Sequence, residues 1–246
     1  MRIACGTSGF SYPAWKGSFY PADLPARRML SCYASRLDAV EANVTFRRLP
    51  RPEMLAAWHA QVPSRFVFAL KAPQRITHVD RLVGAESAVA ALYRAAAELG
   101  ANLGAVLYQL PPTFRKDVPR LRDFLALLPA PSASAFEFRH PSWYADDVFA
   151  VLAATGAALC IAETDDGATP LVATGRLGYL RLRRTRYESR DLHVWAERIL
   201  GQAWEDALVF FKHEEEARAP TFALTLRDIV ERSSGPRPDT GAPTTT

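Results

Sequence analysis

The chain has 246 residues, 49% hydrophobic and 23% charged, which is enough to bury a large core and unlike a disordered or fibrous polymer. The formal net charge of +4 is too small to demand an anionic partner or to exclude one. The longest apolar runs, such as 103–110, are too short to cross a bilayer, so no membrane partner is expected. The N-terminus passes from Arg2 through Ile3-Ala4-Cys5 into Gly and Ser without a secretory pattern, which makes the cytoplasm the expected location. Cys5, Cys32 and Cys160 are odd in number and far apart, as fits reduced thiols better than disulfides or a zinc site.

Short β-rich apolar runs recur along the chain, at 2–5, 39–45, 66–71, 103–109, 135–138, 157–162, 179–182 and 208–212. Several are apolar on both faces, as a parallel sheet covered by helices requires. Between them lie amphipathic stripes: Met29, Leu30, Tyr33 and Leu37; Leu121, Phe124, Leu125 and Leu128; Leu192, Trp195 and Ile199; Leu224, Ile229 and Val230. Gly100 and Gly156 stand where helices need a C-terminal cap, and prolines punctuate the connections. Eight strand-then-helix units in this length predict an α/β fold, a single (β/α)8 TIM-type barrel over 1–232, with an open doubly wound sheet as the alternative. The Pro-, Thr- and Gly-rich segment 233–246 cannot build a core and is expected to be a disordered tail.

In such a barrel the functional site lies at the carboxyl ends of the strands. After strand one comes Gly6-Thr7-Ser8-Gly9-Phe10-Ser11-Tyr12, whose glycines would admit a ligand close to the backbone or simply make a tight turn. It puts Ser8 and Tyr12 among the candidate substrate contacts. Strand two offers Glu41, Asn43 and Thr45 at spacing two, hence on one face. A buried Glu41 needs a partner, and Lys71 at the end of strand three is the candidate. Strand five ends in Glu137-Phe138-Arg139-His140-Pro141-Ser142-Trp143-Tyr144, where Glu137 and His140 are the candidates for proton transfer and Arg139 and Trp143 for substrate contact. A loop pinned by a buried Trp143 is the plainer reading.

Strand six runs into Glu163-Thr164-Asp165-Asp166, which with Glu41, Glu137 and His140 could hold a divalent metal. No metal-spaced His or Cys motif accompanies it, so no metal ligand is assigned and no cofactor is named. Strand seven carries Arg181 and Arg183 on one face, with Arg184, Arg186 and Tyr187 nearby. These two guanidinium groups would meet substrate phosphate or carboxylate, or the glutamates of neighbouring strands. Strand eight leads to Lys212-His213-Glu214-Glu215-Glu216, where His213 would reach the pocket and the glutamates would start a helix. No nucleophile elbow and no dinucleotide fingerprint is present.

Taken in order, these segments resemble the YecE-like family, also called domain of unknown function 72. The matching pieces are Gly6-Thr7-Ser8-Gly9-Phe10-Ser11-Tyr12-Pro13 with Trp15 and Gly17, Phe19-Tyr20-Pro21, and Val40-Glu41-Ala42-Asn43 with Thr45-Phe46 and Arg48-Leu49-Pro50. They continue through Phe68-Ala69-Leu70-Lys71 with Thr77-His78, Gln109-Leu110-Pro111-Pro112 with Phe114, Glu137 to Trp143, and Tyr179-Leu180-Arg181-Leu182. The resemblance implies a TIM-type barrel with a shared pocket, in a family without an agreed activity. The chain departs from a common family pattern at Val44 and Arg47, at Arg183-Arg184 and at Lys212-His213, changes expected to make the pocket more basic.

Three functional readings stay open at the level of sequence. The leading one is an enzyme, a hydrolase or isomerase, acting on a small anionic ligand that bears phosphate or carboxylate. The second is a nucleic-acid-binding or processing protein in which Tyr12, Trp15, Phe46, Trp143 and Tyr187 stack on bases between arginines. The third is a metabolite-binding module without catalysis. The sequence sets no oligomeric state.

Overall fold

A computed structural model describes residues 1–212 and 217–233. In chain order its elements are β1 (Arg2–Ser8), α1 (Met29–Ala34), β2 (Ala39–Ala42), α2 (Val44–Arg47), α3 (Pro52–His59), β3 (Val67–Lys71), α4 (Glu86–Ala96), β4 (Leu103–Gln109), α5 (Val118–Ala126), β5 (Ser134–Glu137), α6 (Asp146–Thr155), β6 (Ala158–Thr164), β7 (Gly167–Ala168), β8 (Leu177–Leu182), α7 (Ser189–Leu200), β9 (Asp206–Phe211) and α8 (Arg218–Ser233). Strands β1 to β6, β8 and β9 pair in parallel in sequence order, and β9 returns to β1, so the sheet closes into a barrel. The two-residue β7 is an antiparallel appendage on β6. Closure settles the choice between a barrel and an open sheet.

The alternation of strand side chains divides each strand between two environments. Outward-facing residues pack beneath the helices, where Met29, Leu30, Tyr33, Leu37, Leu121, Phe124, Leu192, Trp195 and Ile199 are all buried. The inward set is smaller in volume: Ala4, Ala39, Ala69, Ala105, Ala135 and Ala158, with Val67, Leu107, Cys160, Tyr179, Leu208 and Phe210 filling the space left between them. This apolar plug forms the floor on which the polar carboxyl-end layer stands. Gly6 sits in β1 where a Cβ would lie 1.8 Å from the Ala39 carbonyl oxygen, so this close strand contact admits only glycine.

Strand β2 ends three residues earlier than its sequence pattern suggests. Thr45 donates its hydroxyl to the carbonyls of Ala42 at 2.8 Å and Lys71 at 2.6 Å, and the chain turns into α2. A side chain competing for backbone acceptors thus overrides the alternating pattern. Asn43 precedes α2 instead of continuing the Glu41 face as a strand residue. The expected helix cap at Gly156 is present, with the residue left-handed at φ 73°. The tail beyond Ser233 lies outside the described residues, as do His213 and Glu214 to Glu216.

A phenol reinforces the joint between β1 and β2. Tyr33 of α1 is fully buried, accepts from the Thr7 backbone N–H at 2.8 Å and donates to the Ala39 carbonyl at 2.9 Å. Tyr33→Phe leaves both buried backbone groups unpaired and is expected to cost about 2 kcal/mol in urea denaturation at neutral pH, with the slope unchanged.

Candidate functional site

Strands β1 to β5 and β8 each carry a buried inward polar residue near the carboxyl end, namely Ser8, Glu41, Lys71, Gln109, Glu137 and Arg181, and the pairing register sets neighbours side by side. Ser8 is opposite Glu41, and Gln109 is opposite Glu137. Arg181 projects inward from β8 and joins the two carboxylates. Its Nη2 donates to Glu41 Oε1 at 2.8 Å, and its Nη1 donates to Glu137 Oε2. All three side chains are at most 3% exposed.

Burial alone would raise both carboxyl groups, since it penalises the charged form. For Glu41 the Arg181 charge, with hydrogen bonds from Arg181, Ser8 and Tyr179, outweighs that effect and holds the carboxyl below its usual value. Ser8 Oγ and Tyr179 Oη each lie 2.8 Å from a Glu41 oxygen. Glu137 is held at about 2, because the charges of Arg181, Arg183 and Arg139 together overcome its burial. Arg183 Nη2 donates at 3.2 Å, Arg139 Nε at 3.3 Å and Gln109 Nε2 at 2.7 Å.

Lys71 has a different setting from the one its sequence position suggests. It is not the direct partner of Glu41, whose oxygens are taken by Ser8, Tyr179 and Arg181. Its Nζ donates to Gln109 Oε1 at 2.9 Å and lies 3.9 Å from the centre of the Phe46 ring. Burial, and then the repulsion of Arg181, lowers its pKa to about 8 against the opposing pull of Glu41 and Glu137. His78 meets the edge of the same Phe46 ring at 5.0 Å, and its pKa is lowered by burial and by the charges of Lys71 and Arg139. Reading the residues for chemistry missed His78 because it lies in a π-turn, Arg75–Val79, with no strand parity to mark it.

A cleft of about 790 Å³ opens beside this layer, lined by Glu137, Arg139, Tyr144, Thr164, Asp166 and Arg183 among others. Arg139 and Arg183 reach it with side chains 39% and 17% exposed. Among the described residues the charge balance of the layer is positive: Lys71, Arg139, Arg181 and Arg183 face Glu41 and Glu137.

Other expected contributors are engaged elsewhere. His140 Nδ1 accepts from the Ser142 backbone N–H at 3.1 Å and sits 2.8 Å from Ser142 Oγ, so the imidazole caps its own loop and does not line the cleft. Trp143 is fully buried, stacked on Phe138 at 4.6 Å, and donates to the Phe114 carbonyl at 2.7 Å, which makes it the loop's pin instead of a ligand contact. Tyr12 donates to the Ser8 carbonyl at 2.7 Å, and the Gly9 amide to the Glu41 carbonyl at 2.9 Å, so the glycine loop is a self-satisfied turn. Asn43 keeps a buried side-chain oxygen without a partner among the described residues, an acceptor a bound ligand would satisfy.

The metal reading loses its ligands to the same geometry. Glu163 has the opposite parity from Ala162 and Thr164, and it accepts from Trp195 of α7 at 2.9 Å on the outer side. Asp165 accepts from the Thr185 backbone N–H at 2.9 Å. Among the described residues no three His, Cys, Asp or Glu side chains are grouped to hold a metal ion. The stacking surface expected for nucleic acid is also missing in part, since Trp15, Trp143 and Tyr187 are buried at 1%, 0% and 5%. Arg47 lines a separate groove with Arg48 and Arg75, and Arg184 pairs with Asp191 at 3.4 Å, so neither adds to the mouth.

A closed parallel β/α-barrel with an arginine-rich polar layer at its carboxyl end is the class of protein this fold and site define. The chain belongs to the family described as protein of unknown function DUF72, whose model matches residues 4–245. It is 33% identical over 114 residues to the UPF0759 protein YecE of Escherichia coli strain K12, a match covering 46% of this chain and 42% of that protein. The crystal structure of a DUF72 family protein from Thermotoga maritima superposes with a TM-score of 0.82 at 24% identity, over 94% of this chain and 99% of that one. A DUF72 family protein from Enterococcus faecalis gives 0.74 at 21% identity, over 93% and 95%. These likenesses establish the fold. Among the described residues no helix is long and apolar enough to cross a membrane.

The depressed Glu137 pKa makes stability acid-sensitive in a defined window. The folded value of about 2 lies below the ordinary 4.5, so the ionised carboxylate stabilises the fold fully above 4.5, and this contribution is lost as pH falls toward 2. Glu137→Gln strands buried guanidinium charge and is expected to cost about 3–5 kcal/mol at neutral pH. Urea denaturation across pH should show a shallower acid slope in the variant.

Proposed function

We propose that this protein is an enzyme that acts on a small substrate bearing a phosphate or carboxylate group, bound at the carboxyl-end mouth of the barrel. The observation that carries this reading is the excess of cations among the described residues around Glu137, beside an open cleft. Arg139 and Arg183 share one carboxylate with Arg181 and still reach the cleft surface. Guanidinium groups held by a fixed counter-ion are preorganised, so an incoming anion need not reorganise them. An oxyanion within the cleft would meet Arg139 and Arg183 beside the carboxylate that orients them.

The division of labour differs from the one the sequence suggests. Glu137, fully buried and held ionised by its arginines, acts as the electrostatic anchor of Arg139, Arg181 and Arg183 and not as a general acid. Glu41 anchors Arg181 from the opposite side. The group whose pKa is brought toward neutrality is Lys71, lowered to about 8 by burial, while burial lowers His78 and favours its uncharged imidazole.

Inorganic phosphate, sulfate and acetate should each raise the melting temperature of the protein in a concentration-dependent way. Arg183→Ala should weaken phosphate binding at least about tenfold, the loss of roughly 1.4 kcal/mol expected for a charge-assisted contact. Titration calorimetry reads the affinity directly. Absence of any anion-dependent stabilisation in the native chain would remove the reading.

A further inference from the structure

Lysine is scarce in this chain. It stands only at positions 16, 71, 116 and 212, so 26 of the 30 basic residues are arginines (30 − 4). A guanidinium does not lose its proton at any physiological pH, whereas an amine can. At the mouth the chain uses arginine wherever a carboxylate must be neutralised, at 139, 181 and 183, and lysine at one inward position among them. Lys16, Lys116 and Lys212 are exposed. Lys71 alone among the four is buried, yet it keeps 8% exposure while Glu41 and Glu137 keep 0% and 1%.

The contacts of Lys71 orient its amine through a neutral acceptor and an aromatic ring, without a carboxylate partner. Its partner is the neutral Gln109 carbonyl oxygen at 2.9 Å, and the Gln109 amide is fixed in turn by donating to Glu137 at 2.7 Å. The Phe46 ring covers it at 3.9 Å. Among the described residues it forms no ion pair, although two carboxylates stand in the same layer. With its pKa lowered to about 8, roughly a tenth of it is the free amine at pH 7.

We propose that Lys71 is a covalent nucleophile, whose amine condenses with the aldehyde or ketone carbonyl of a substrate held through its anionic group by Arg139 and Arg183. This deepens the anion-site reading and rests on it for the substrate's orientation. The nitrogen lone pair attacks the carbonyl carbon, the C=O π electrons move onto oxygen, and a nitrogen proton is transferred to that oxygen to give a carbinolamine. The lone pair then forms C=N while the hydroxyl departs with a solvent proton as water, leaving a protonated imine. No oxidant or reductant enters this step. The imine withdraws electrons from the adjacent carbon and activates its C–H or C–C bond, so the substrate class is an anionic carbonyl compound.

Trapping tests this on the full chain. Glyoxylate and glycolaldehyde phosphate are incubated with the protein, reduced with borohydride and mapped by peptide mass, with pH varied from 6 to 10. Lys71 should carry the reduced adduct about tenfold or more above each exposed lysine at pH 7, with half-maximal labelling near pH 8. Lys71→Arg should lose the adduct and keep the phosphate-induced rise in melting temperature. Labelling of Lys71 no greater than that of Lys16, Lys116 and Lys212 would overturn the proposal. If phosphate still stabilises the protein in that case, the covalent step falls alone; if it does not, the anion site falls with it. A Lys71 adduct formed without anion protection supports the nucleophile and removes only the anion site.

Discussion

Arg181 is the interaction on which the mouth of the barrel depends. One guanidinium, 3% exposed, answers two carboxylates that share no other ion-pair partner among the described residues, Glu41 from β2 and Glu137 from β5. These partners are 140 and 44 residues away in sequence, and only a closed sheet brings all three together. Neither acid would be tolerable at this depth alone, since an unpaired buried charge costs several kcal/mol. The arginine and the closure of the ring therefore require each other: the pairing is unavailable in an open sheet, and the ring could not hold its acids without it.

From this pairing follows the electrostatic character of the layer above the alanine-rich plug. The two glutamates are fully committed as counter-ions, which removes them from proton transfer and leaves the surrounding cations in excess. Arg139 and Arg183 lean on Glu137 from the cleft side, so the acid positions them instead of competing with a ligand for the cleft surface. Burial first, and that positive field second, lower the pKa values of Lys71 and His78. In the proposed reading, proton transfer falls to the nitrogen bases flanking Phe46 and not to the carboxylates.

The barrel was legible in the sequence because parallel strands buried on both faces announce themselves as apolar runs at regular spacing, and the helix stripes between them repeat at three or four residues. The inward parity of Glu41, Lys71, Glu137 and Arg181 was equally readable. Partner choice was not. Which cation meets Glu41 depends on the register around the ring, and Lys71 and Arg181 are equivalent by type and parity alone. His140 illustrates a second limit, since its strand-end position suggests chemistry while Ser142, two residues on, takes its ring nitrogen into a loop cap. The strand placement of Asn43 fails for a third reason: the Thr45 hydroxyl ends β2 early, a local contest that alternation cannot reveal.

Gln109 has a role that its neutrality conceals. Its amide faces an ammonium with one end and a carboxylate with the other, so the carbonyl and the amino group cannot exchange places without setting like against like. The side chain is in effect a polarity-keyed insulator between Lys71 and Glu137. Exchanging its amino group for a second oxygen would create a direct acid–amine contact on one side and an acid–acid contact on the other. The first would fasten the proton to the lysine and the second would drive a proton onto one of the acids, so this single amide keeps the lysine and the acid out of direct contact.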